Sequence, residues 1–167
     1  MKQTFQPDYT NILKVLHNQR PDYLPLYEHH IDVPFISKAI GEKLELVSDN
    51  PADLEDYYRK VTSFWAKNGY DAFDYEAAIC EIFPGHGAIL GGMLGPIQTR
   101  EDFEKYPFDE LPAIFWKKYT PHLQAIRKVM PQGMKAYGGC GYGVFESSQD
   151  LVGYESLCLM QDRKSVV

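Results

Sequence analysis

Glu28, His29, His30 and Asp32 put two carboxylates and two imidazoles within five residues. An imidazole titrates near neutrality, and beside a carboxylate it can pass a proton or bind a metal. In an extended strand side chains alternate, so Glu28, His30 and Asp32 would share one face. The plainer reading is a solvated loop, with Asp32 capping a helix entered through Pro34. Asp74 and Glu76 make a second pair, on one face if a strand runs through both. Paired carboxylates divide acid and base roles when burial separates their pKa values. Otherwise they are an exposed edge or partners for lysine. A third group follows Gly138: Cys140, Tyr142, Phe145 and Glu146, with Gln149 just beyond. Cys140 is a candidate thiol nucleophile, although a small buried filler is the commoner role. Tyr142, Phe145 and Glu146 are candidates to line a pocket mouth. His86 lies in the run PGHGAILGGMLGP over 84–96, where glycines let backbone approach a ligand. That run is neither GxGxxG nor a Walker loop, so it carries no nucleotide claim. His17 and His122 fall in helical stretches and read as surface residues.

Those groups need a scaffold. The spacing predicts a short helix over 8–18, capped by Asp8, and an extended run over 23–27 despite Pro25. A brief helix over 34–40 ends at Gly41. The clearest helix covers 51–68: Asn50 suits the N-cap, Pro51 the N1 position and Asp53 the N3 position. Leu54, Tyr57, Val61, Phe64 and Trp65 form its apolar face, and Gly69 suits C′. A strand over 72–76 follows, with a further extended piece over 79–83. Thr99 and Asp102 open a helix with a capping box, which ends before Pro107. A helical stretch over 113–130 should be divided at Pro121, with Thr120 as a new N-cap. Residues 133–138 read as a strand, and a last helix starts at 153 or 154 and runs to 160.

Strands separated by helices require crossovers and a parallel sheet. The three polar groups each follow a predicted strand, the edge at which α/β folds place their chemistry. The class is therefore α/β.

Composition narrows the function. The chain has 167 residues, 44% apolar and 24% charged, an ordinary globular balance, with a net charge of −6. No basic stripe suggests nucleic acid, and no apolar run approaches the ~20 residues that span a bilayer. The N-terminus lacks an apolar secretory segment. Three widely spaced cysteines, with no CxxC pair, argue against a disulfide framework or zinc knot. A cytoplasmic setting fits these features.

Three ordered segments carry a resemblance. Residues 20–32 (RPDYLPLYEHHID), 95–107 (GPIQTREDFEKYP) and 137–146 (YGGCGYGVFE), the last followed by Gly153–Leu157 (GYESL), are similar to successive regions of the uroporphyrinogen decarboxylase superfamily. That superfamily also holds methyltransferases that move methyl groups between corrinoid proteins and thiols such as coenzyme M. The similarity covers nearly the whole chain but only the first half of the family's length. It implies the N-terminal half of a (β/α)8 TIM barrel, as one partial domain over 1–167. A complete barrel takes roughly 250 residues, and three or four strands cannot close one.

The resemblance implies one of two chemistries. The decarboxylases remove carboxyl groups from a porphyrinogen without a cofactor, in porphyrin metabolism. They carry two arginines just after the first strand to hold substrate carboxylates. Here that position reads Tyr27–Asp32, with no arginine. Asp74 could match the family's aspartate at the end of the second strand, and Gln149 stands where the decarboxylases place a tyrosine. The acidic first loop points to the methyltransferase-like branch. Its zinc ligands, a His-x-Cys and a later Cys, come from the second half of the barrel, so no metal ligand or cofactor is assigned here. The expected catalytic group is Glu28, His30, Asp32 and Asp74. His29, Glu76, Tyr142, Phe145, Glu146 and Gln149 would contact a small-molecule substrate. A corrinoid protein and a homodimer are the protein partners this reading admits, and the 167-residue chain is expected to be inactive alone. The alternatives are a true uroporphyrinogen decarboxylase and a non-catalytic open α/β binding module.

Overall fold

A computed structural model describes residues 5–162. The elements run α1 (Thr10–Leu16), α2 (Val33–Ile40), α3 (Pro51–Lys67), β1 (Ala72–Asp74), α4 (Arg100–Lys105), α5 (Leu111–Val129), β2 (Lys135–Tyr137), α6 (Val144–Val152) and α7 (Tyr154–Asp162). Single 3-10 turns occupy Ile79–Ile82, Ala88–Leu90 and Phe108–Glu110. The sheet is a two-stranded open one. β1 and β2 are parallel, with Ala72 opposite Lys135, Phe73 opposite Ala136 and Asp74 opposite Tyr137. The mixed α/β class stands. No helix among the described residues is long and apolar enough to cross a membrane.

The chain divides into two compact units. The first runs up to Tyr75 and includes Tyr119–Gly138; the second comprises Glu76–Lys118 and the residues from Gly139. In the first, α3 and β1 make the core. Leu54, Tyr58, Val61, Phe64 and Trp65 are buried along one face of α3, with Phe73, Ile126 and Met134 beside them. Tyr58, rather than Tyr57, is the buried tyrosine of that face. Asn50 caps α3 by accepting the Asp53 N–H at 3.0 Å, and its amide also reaches the Asp53 carboxylate. Replacing Asn50 with alanine should cost about 1 kcal/mol of stability in urea titrations. Gly133 lies at φ 78° between α5 and β2, and its carbonyl accepts the Tyr9 N–H at 2.9 Å. A Cβ there would stand 1.9 Å from the Pro7 carbonyl oxygen, so only glycine fits.

Several expectations need correction. Residues 23–27 form no strand: Pro25 cannot donate to a ladder, and Leu24, Leu26 and Tyr27 are exposed. β1 ends at Asp74, so Asp74 and Glu76 do not belong to one strand. Residues 79–83 are a 3-10 turn where an extended piece was expected. α5 runs through Pro121 without a new start at Thr120, with one backbone hydrogen bond missing at the proline. Tyr9 is the N-cap of α1, and Asp8 acts from one residue earlier, accepting from the Thr10 N–H and hydroxyl. α6 was not foreseen; its signal was Glu146, whose carboxylate accepts the Gly143 N–H at 2.5 Å.

Candidate functional site

In the first unit, three segments meet at the carboxyl end of the sheet. The Tyr137 hydroxyl at the end of β2 donates to the Glu28 carbonyl. The Tyr27 ring stacks on the Tyr137 ring, with centroids 5.3 Å apart. Asp74 stands opposite Tyr137 in the register, and alternation puts Ala72, Asp74, Lys135 and Tyr137 on one sheet face. The other face carries Phe73, which packs on Trp65 of α3. Burial, then the nearby Asp74 carboxylate, pushes the Tyr137 hydroxyl well above the usual tyrosine range. A neutral phenol and a carboxylate are thus held together at the strand ends. This pair can orient a polar group and exchange a proton with it.

Glu28, His29, His30 and Asp32 are exposed, while Ile31 between them packs against the core. His30 Nε2 lies 3.3 Å from Asp32 Oδ1, and His29 Nδ1 lies 3.5 Å from the Tyr27 hydroxyl. The expected shared face of Glu28, His30 and Asp32 has no strand to define it, but His30 and Asp32 do pair. Asp32 is the N-cap residue of α2 without a side-chain cap bond. Glu28 enters through its backbone carbonyl.

The remaining expected residues lie in the second unit. Glu76, Tyr142, Phe145 and Glu146 are exposed, and Glu146 is engaged in capping α6. Tyr142 is held at φ 46°, an uncommon conformation for a side-chain-bearing residue, beside the buried Cys80 thiol. Burial pushes that thiol up, which keeps it protonated and unreactive. Gln149 Nε2 donates to the Ile89 carbonyl at 3.2 Å. Cys140 is exposed, contrary to the filler role expected of it. His86 is an exposed loop residue.

Three residues with structural or electrostatic weight were missed. Asp150 is fully buried, and its Oδ1 accepts the Gly87 and Ile89 N–H groups at 2.8 and 3.0 Å. Asp71 is also fully buried; its Oδ1 accepts the Asp8 N–H and the Tyr23 hydroxyl, both at 2.6 Å. His122, expected on the surface, has a side chain only 12% exposed and meets the Tyr58 hydroxyl at 2.8 Å. A single Asp before a strand or late in a helix carries no burial signal of its own; the neighbours that enclose it are distant in sequence.

Tyr23 supplies a pH test. Burial, then the bond to Asp71, pushes its hydroxyl up to about 12. The unfolded chain releases this proton near the ordinary value of about 10. The folded state therefore holds more protons between these values. The stabilisation is complete below about pH 10 and is lost as pH rises to about 12. Thermal melts from pH 8 to 12 should show this fall, and Tyr23→Phe should lessen it, the rest coming from other raised tyrosines such as Tyr137.

Among the described residues, no three His, Cys, Asp or Glu side chains converge to hold a metal ion. Comparison with family models, with curated proteins and with solved structures finds no match to this chain.

Proposed function

We propose that the chain is the N-terminal half of a (β/α)8 barrel of the uroporphyrinogen decarboxylase superfamily, in its methyltransferase-like branch. The observation that carries this reading is the meeting of Glu28, Asp74 and Tyr137 at the carboxyl end of a parallel pair. Barrels and open α/β sheets place substrates at that edge. In this role Tyr137 orients a small-molecule substrate through its neutral hydroxyl, and Asp74 accepts or holds a proton. The His30–Asp32 pair lies in the same unit, in the segment that continues from Glu28. An acidic rim without an arginine repels a many-carboxylate porphyrinogen, which favours a thiol or methyl-carrier substrate over a porphyrinogen.

The test has two parts. The coding sequence past Val167 should continue into further strand–helix units bearing a His-x-Cys and a later Cys. The protein made with that continuation should then methylate coenzyme M from methylcobalamin when zinc is supplied. Asp74→Asn and Tyr137→Phe should each lower the rate at least about tenfold, the scale of one general acid–base group. Formation of coproporphyrinogen from uroporphyrinogen would overturn the methyltransferase-like branch. A coding sequence with no further barrel strands would overturn the barrel.

A further inference from the structure

Of the five histidines, His17, His29, His30 and His86 are exposed, while the His122 side chain is only 12% exposed. His122 lies in α5, directly after Pro121. Side chains of the first unit close around its ring. Tyr58 of α3 brings its hydroxyl to 2.8 Å from Nδ1. Asp49, just before α3, brings Oδ1 to 3.6 Å from Nε2. Tyr75, just after β1, lays its ring over the imidazole with the centroids 6.5 Å apart. Tyr119, one turn earlier in α5, meets the imidazole edge-on at 6.2 Å. Of these ionisable groups only Asp49 is charged near neutrality.

A carboxylate can only accept, so its approach to Nε2 puts the imidazole hydrogen on that nitrogen. Nδ1 is then the acceptor, and the Tyr58 hydroxyl donates to it. Tyr58 is buried, with its ring among those of Tyr57, Phe73 and Tyr75. Burial holds its hydroxyl far above the usual tyrosine range, so it keeps its proton. The neutral imidazole thus joins α5 to α3 through a hydrogen bond closed off from water. A second proton on the ring breaks this arrangement. An N–H and an O–H would face each other across 2.8 Å, and Tyr58 must turn its hydrogen away among the surrounding rings. The new charge also loses its water on burial. Its counter-charge is Asp49, whose side chain is 77% exposed and therefore screened by solvent and salt. The Tyr75 ring lies beyond the roughly 6 Å within which an aromatic face holds a cation well.

We propose that His122 is an acid-released clamp: its neutral ring fastens α5 to α3, and uptake of a proton loosens that fastening. Histidine suits the role because its ordinary titration falls near physiological pH. The unfolded chain binds this proton below about pH 6.5, and the folded core resists it. The folded state then holds fewer protons than the unfolded one. The contribution of the clamp is therefore complete above about pH 6.5 and is lost as the pH falls below it. The inference concerns the packing of α3 on α5 and does not rest on the function proposed above.

Two measurements on the 167-residue chain test it. Urea midpoints are followed from about pH 7.5 to about pH 5.5, the range in which histidine titrates and ordinary carboxylates do not. The wild-type midpoint should fall across this range. His122→Gln keeps an acceptor for Tyr58 and a donor toward Asp49 but takes up no proton, so it should lose at least about half of that fall. Asp49→Asn removes the counter-charge and should steepen the fall. The second measurement needs no variant. Nuclear magnetic resonance follows the histidine ring protons of the folded wild type, with His122 assigned by its nuclear Overhauser contacts to the Tyr58 and Tyr75 rings. His122 should titrate about one pH unit or more below the four exposed histidines. A His122 ring that titrates with them or above them overturns the proposal. So does a fall in midpoint that is equal in wild type and His122→Gln, or one that Asp49→Asn lessens.

Discussion

Trp65→Ala is expected to destabilise the first unit by about 3–5 kcal/mol, the usual cost of emptying a large aromatic site in a core. Trp65 is 2% exposed, and its ring meets Tyr70 at 4.7 Å and Phe73 at 5.8 Å. Those contacts tie α3 to β1. The vacated space adjoins the Tyr70 and Phe73 rings in a packed core, so collapse into it is limited. Trp65→Phe keeps part of the aromatic contact and should cost less. Urea titrations followed by far-ultraviolet circular dichroism check the order wild type, Phe, Ala. A cost under about 1 kcal/mol for the alanine variant would mean that this core is loosely packed. The effect reaches the site because Phe73 adjoins Asp74 in β1. Loss of the Trp65 contact should therefore also loosen the register that sets Asp74 opposite Tyr137.

Asp150→Ala should cost the second unit about 3 kcal/mol, from two charge-assisted bonds lost and two backbone donors left unpaired. Asp150 Oδ1 accepts both the Gly87 and the Ile89 N–H groups. The other carboxylate oxygen, Oδ2, is buried without a hydrogen-bond partner, so part of the gain is already offset by the cost of enclosing a charge. Asp150→Asn keeps an acceptor for both amides and removes the charge. It should therefore be milder than alanine. Hydrogen exchange gives the decisive readout: the Gly87 and Ile89 amides should be protected in the wild type, less so in the asparagine variant, and unprotected in the alanine variant. Protection unchanged in the alanine variant would show that other contacts hold the loop.

The local features were legible because their causes are local. The Asn50 cap, the N3 aspartate at Asp53, the Thr99–Asp102 capping box and the glycine stop at Gly41 are set by residues three or four apart. The apolar face of α3 follows from 3.6-residue periodicity in the same way. The α/β order was legible for a similar reason: β1, with its run of apolar and aromatic residues, and β2 are flanked by helical spacing.

What depended on distant partners was not legible. Nothing near Tyr137 in the chain announces that its hydroxyl will meet the carbonyl of Glu28, 109 residues away. The expectation there was built on the Glu28 and Asp32 side chains, which the structure leaves in solvent. His122 read as surface because one exposed-looking helical position resembles another until Tyr58 closes over it. Nothing in the sequence singles out Asp71 or Asp150, and only the folded chain brings backbone N–H groups to them across about sixty residues. The amino-acid order alone thus determined where α2 stops, where α3 and α4 start, which face of α3 is apolar, and the acidic character of the first loop. The folded chain decided which polar groups meet, because burial and pairing across long loops depend on packing free energies that no short window contains.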